Sequence, residues 1–180
     1  MADVMTDMYN SIKALRISTP IIKELLHFKH GEIIDVENQN NETCFHLDTN
    51  CGIDYLLYFK GEGWTRGAAW RSQPVKEPYN TFTVRKSRDN GSVTEFEKRK
   101  DAIENNAIYP YYTLQAYYDE DTGELLSIGI TKTEDLIDCI SKGHYKLLHT
   151  RSDKIGQAEF YVVRWSELQR LNYNFVSWTK

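Results

Sequence analysis

Asp54 interrupts the apolar run Gly52-Ile53-Asp54-Tyr55-Leu56-Leu57-Tyr58. A carboxylate placed there is costly to bury unless it is paired, hydrogen-bonded or bound to a cation. Three further segments follow: Ala69-Trp70-Arg71-Ser72-Gln73, Thr81-Phe82-Thr83-Val84-Arg85-Lys86, and Thr94-Glu95-Phe96-Glu97-Lys98-Arg99. A carboxylate, then basic residues, then a second carboxylate is a set that can surround a metal ion and face a phosphate. Arg85, Lys86, Arg88, Lys98, Arg99 and Lys100 also place six cations within sixteen positions, the one local basic concentration in the chain.

The elements that must position these residues follow from periodicity. On a strand, alternation puts Ala69, Arg71 and Gln73 on one face and Ala68, Trp70 and Ser72 on the other. Thr81, Thr83 and Arg85 share a face in the same way, opposite Phe82 and Val84. Helical spacing brings Glu95, Lys98 and Arg99 together. Plainer readings stand beside these: Asp54 at an exposed strand end, the arginines along a solvated edge, and Glu95 closing a capping box with Ser92.

The rest of the chain reads as helices over 4–15 and 20–30, the second capped by Thr19 with Pro20 at its first turn. Strands are expected over 31–36, 44–47, 53–60, 65–72, 80–86, 111–118, 124–130 and 159–165. Further helices are expected over 92–105, 133–142 (capped by Thr133) and 166–171. The aromatic segment 173–178 is expected to dock. This order implies an α/β (α+β) fold, a mixed central sheet flanked by helices, in a single domain spanning 1–180.

The succession Gly52-Ile53-Asp54, two strands with alternating arginines, and Thr94-Glu95-Phe96-Glu97-Lys98-Arg99 resembles the core of the PD-(D/E)XK nuclease superfamily. That resemblance covers about residues 18–118 and leaves a hairpin, helix and strand in 119–180 as additions. It implies a restriction-endonuclease-like core and a Mg²⁺-dependent endodeoxyribonuclease. Asp54, Glu95, Arg71, Arg85 and Lys98 then take the catalytic positions, and Asp54, Glu95 and Glu97 the metal positions. Lys86, Arg88, Arg99 and Gln73 would contact DNA, and Glu24 would match the accessory acid of some members. The chain departs from the family at the acid-x-lysine half-motif: Ala69-Trp70-Arg71 and Thr83-Val84-Arg85 carry no acid, and arginine replaces lysine. Arginine remains charged and does not serve readily as a base. The alternative is a non-catalytic binding protein on a similar fold, such as a phage accessory factor, a regulator or an inhibitor, with a protein partner.

Composition narrows the classes. Among 180 residues, 41% are apolar and 27% charged, which suits a folded chain. The net charge of −4 argues against sequence-blind coating of duplex DNA, although a local basic cleft is compatible with it. Three cysteines without framework spacing, an acidic N-terminus and no long apolar run imply a cytoplasmic protein with no membrane partner. A homodimer is compatible with the sequence. Cys44, His46, Asp48 and Cys51 gather metal-ligand types without the paired spacing of structural zinc. P-loop, dinucleotide-binding and serine-hydrolase motifs are absent.

Overall fold

In the computed structural model, residues 2–36, 39, 41–88, 93–152 and 156–180 are described, with 2–10, 88, 151, 152 and 156 in backbone only. The chain opens with α1 (Ala2–Leu25), β1 (Glu32–Asp35), α2 (Glu42–Thr49), β2 (Tyr55–Phe59) and β3 (Trp64–Val75). It continues through β4 (Thr81–Arg88), α3 (Glu95–Glu104), β5 (Tyr112–Asp119), β6 (Leu125–Lys132) and α4 (Thr133–Ser141). β7 (Lys146–Ser152), β8 (Gly156–Arg164), α5 (Trp165–Arg170) and β9 (Phe175–Thr179) complete it. The fold is mixed α+β.

Two sheets form instead of one. The larger has the order β1-β2-β3-β5-β6-β9, and the smaller β4-β8-β7. Among the described residues, only β3 and β5 run parallel; every other pairing is antiparallel. A parallel pair requires a long crossover, and the chain makes it through β4 and α3. β4 leaves the large sheet to pair with β8, which sequence periodicity cannot foresee, since partner choice is non-local.

Alternation divides the large sheet into two faces. Leu57, Ala68, Leu114, Ala116, Ile128 and Ile130 pack with Ile22 of α1. Tyr117 belongs to a second core, with Phe82, Val84, Leu136, Val163 and Leu168. Gly129 serves that second core: a Cβ there would stand 2.6 Å from the Trp165 ring, so only glycine admits the indole.

Several local expectations change. The two N-terminal helices are one, with Pro20 inside it. Thr19 does not cap a new helix; its hydroxyl, like that of Ser18, donates to a carbonyl one turn back, Leu15 and Ala14 respectively. The expected strand over 44–47 is α2, started by Asn41, whose side chain accepts from the Cys44 amide. Thr133 begins α4 without capping it, its hydroxyl meeting that of Thr113 instead. Segment 173–178 docks as β9 against β6, and β7, absent from the sequence reading, forms an edge of the small sheet. Among the described residues, no helix is long and apolar enough to cross a membrane.

Candidate functional site

Asp54 sits just before β2, where its backbone joins two neighbouring strands. Its amide donates to Ala68 O and its carbonyl accepts from Val36 N, both at 3.0 Å. Its carboxylate turns back and accepts the Trp70 amide at 2.6 Å. The side chain is thereby fixed on the lining of a pocket of about 510 Å³ between the large sheet, β4 and the start of α3.

All five residues assigned catalytic positions from the sequence line this pocket: Asp54, Arg71, Arg85, Glu95 and Lys98. They come from the head of β2, from β3, from β4 and from one turn of α3. Arg99 joins them, as do Asp48 and Cys51 from the Cys44–Cys51 cluster and two residues not singled out in the sequence, Thr113 and Gln115. Asp48 comes from α2, just beyond the 44–47 segment expected as a strand, and its carboxyl pKa is raised by burial and by Asp35 nearby. Gln115 lies on the same face of β5 as Tyr117 and Thr113 and is 1% exposed. Its place between Leu114 and Ala116, on a strand rich in apolar and aromatic residues, was the signal that could have found it.

Glu95 is the centre of the electrostatics. One carboxylate oxygen accepts from Arg71 at 3.0 Å and from the Arg85 amide at 3.2 Å. The other meets Arg99 at 2.7 Å. Burial alone would push this carboxyl up, but Arg99, Arg71 and the Arg85 amide outweigh it and hold the group below its ordinary value. Glu95 is available for this because the capping box of α3 is Thr94 with Glu97. The alternative box, Ser92 with Glu95, involves a residue outside those described. Glu97 spends its carboxylate on the Thr94 amide and hydroxyl, both at 2.9 Å, and lies on a neighbouring groove.

The same network closes an open strand edge. β4 is the outer strand of the small sheet, and unpaired backbone groups along such an edge are a liability. Side chains take the place of a strand. Tyr117 donates to Thr81 O at 3.0 Å, the Thr83 amide donates to Gln115 at 2.7 Å, and Arg71 donates to Thr83 O at 3.1 Å. Glu95 completes the series at the Arg85 amide. Arg71, Glu95 and Gln115 therefore hold the two sheets together as well as line the pocket.

The remaining assigned residues lie elsewhere. Lys86 pairs with Glu159 at 2.9 Å on the small sheet. Gln73 is exposed near the end of β3, and Glu24 is exposed on α1; neither lines the pocket. The Arg88 side chain is outside the described residues. Among the described residues, no group of three His, Cys, Asp or Glu is placed to share a metal.

The donor set decides which residues suit Mg²⁺, an ion commonly held by one or two carboxylates with water and substrate phosphate completing its shell. Both oxygens of Glu95 are committed to cations, and Oε2 of Glu97 is committed to the cap of α3. Asp54 and Asp48 are the other two carboxylates on the pocket lining, and one oxygen of Asp54 accepts the Trp70 amide. Compared with known proteins, the chain matches no family model, no curated protein and no solved structure.

Proposed function

We propose that the protein is nuclease-like and acts on DNA phosphodiesters in the pocket of Asp54, Arg71 and Glu95. The observation that carries this reading is the convergence of Asp54, Arg71, Arg85, Glu95 and Lys98, from four chain segments, on one pocket. The order α1-β1-α2-β2-β3-β4-α3-β5, in which β1, β2, β3 and β5 share one sheet and β5 returns parallel to β3, supports a restriction-endonuclease-like core into which α2 and β4 are inserted.

Within this reading Asp54 and Asp48 would hold Mg²⁺, which when bound would supply charge neutralisation at the phosphate and a more acidic bound water. Arg71 and Lys98 bind and orient the phosphate. Glu95 keeps Arg71 and Arg99 extended across the pocket, so its role is positioning.

A second reading, DNA binding without cleavage, is favoured by the engagement of Glu95 and Glu97 with other partners. Labelled DNA incubated with Mg²⁺ or Mn²⁺ separates the two. Cleavage by the native chain that falls to background in Asp54→Ala is the expected result. A mobility shift without cleavage would establish the second reading, and neither shift nor cleavage would remove both.

A further inference from the structure

The arrangement of charge around the pocket points to a particular form of DNA. A duplex presents one charge per about 1.7 Å along its axis and is held along a stripe of cations. Here the cations gather at a point. Lys86, which would have extended a stripe, is paired with Glu159 on the small sheet, and the chain is acidic as a whole. Arg71, with 29% of its side chain exposed, and the exposed Lys98 are the cations a ligand in the pocket would reach.

The pocket opens onto a second cavity. A groove of about 880 Å³ runs between α2 and α3 and shares Cys51, Val93 and Lys98 with the pocket. Its apolar lining is Val93, Ala102, Ala107 and Ile108, with Val93 63% and Ile108 58% exposed. Glu97 and Asp101 also line it, opposed there by Lys98, whereas the pocket sets Arg71, Arg85, Lys98 and Arg99 against Asp48, Asp54 and Glu95; that balance disfavours a second phosphate in the groove. A neutral, flat, partly apolar group suits the groove, and an anion suits the pocket. Lys98 stands where the two meet.

We infer that pocket and groove together take the unpaired terminal nucleotide of a DNA strand, with its phosphate at Arg71 and Lys98 and its base between Val93 and Ile108. The inference rests on the nuclease-like reading and specifies its substrate. A strand-end phosphomonoester carries about −1.5 to −2 charge, more than an internal diester, and can enter a pocket that a continuous duplex backbone would only graze. An unpaired base can leave its neighbours and lie against apolar side chains, as in enzymes that extrude a base.

Fluorescence anisotropy without divalent metal tests this with labelled single strands bearing a 5′-phosphate, a 3′-phosphate or neither, and with an unphosphorylated blunt duplex. The expected result is binding at least about tenfold tighter for one phosphorylated single strand than for the unphosphorylated one. The arm that shows the preference identifies the strand end. Lys98→Glu and Ile108→Asp should each abolish it, and thermal melts should show both folded, since both positions are exposed. Arg71-dependent binding that ignores the terminal phosphate, or a duplex bound as tightly, overturns the inference and leaves the nuclease-like reading intact. DNA bound by neither the native chain nor its variants overturns both.

Discussion

Glu95 and Glu159 each gather several donors, and their surroundings separate them. Glu95 holds Arg71 and Arg99 in the cleft between the sheets, where Arg99 is 7% exposed. Glu159 holds Lys86 at 2.9 Å, Ser87 at 3.1 Å and His149 at 3.0 Å on the small sheet, where His149 is 69% exposed. The chemistry is similar and the dielectric is not. Water competes for the outer cluster and screens it. The inner cluster also satisfies backbone groups of β4, so removing one member leaves buried partners uncompensated. Paired charges on the surface decorate this fold, whereas those in the cleft join its two sheets.

The largest expected effect is at Glu95. Glu95→Gln should cost about 3 kcal/mol, the scale for breaking a buried pair by removing one partner. Calorimetry should then show the melting temperature lower by about 6–12 °C. The pH dependence sharpens the same contrast. Because the folded-state value of Glu95 lies below its ordinary 4.5, its stabilisation is present above that value and is lost as pH falls below it. The native chain should hold its stability from pH 8 to 5 and lose it below 4.5, with a shallower acid loss in Glu95→Gln. A variant that melts with the native chain would show the inner cluster to be as screened as the outer one.

A smaller effect is expected at the cap that seats Glu95. Thr94→Ala removes the side-chain cap of α3 and should cost about 1 kcal/mol, lowering the melting temperature by about 2–4 °C. If DNA binding also weakens, the helix start helps position the cleft cations; unchanged binding would assign the cap to stability alone. The smallest effect belongs to the outer cluster. Lys86→Ala and Glu159→Gln should leave the melting curve within experimental error, and a loss comparable to that at Glu95 would erase the distinction.

The capping boxes show how far the sequence could be read. Ser92 with Glu95 and Thr94 with Glu97 both match the same four-residue pattern, two positions apart. Local sequence has no means of ranking them. In the folded chain, Thr94 with Glu97 forms the box, and Arg71, twenty-four residues earlier in sequence, meets Glu95. The assignment of α2 failed for a related reason. Its short run of mixed residues has weak periodicity, and the Asn41 cap together with tertiary position decided for helix. By contrast, Phe82 and Val84 were legible as buried because alternation on a strand is a local property, and both are fully buried.

By itself, then, the sequence determined the alternating faces of the strands, the class of the fold and the candidacy of Asp54, Arg71, Arg85, Glu95 and Lys98. These depend on neighbours two to four positions apart, which the chain carries in its order. Tertiary structure alone decided that β4 would leave the large sheet, that Gln115 and Arg71 would close its open edge, and that Asp48 would stand on the Asp54 pocket. Each of those outcomes depends on partners brought together by the crossover from β3 to β5, where buried backbone groups must find donors and acceptors wherever the packed chain supplies them.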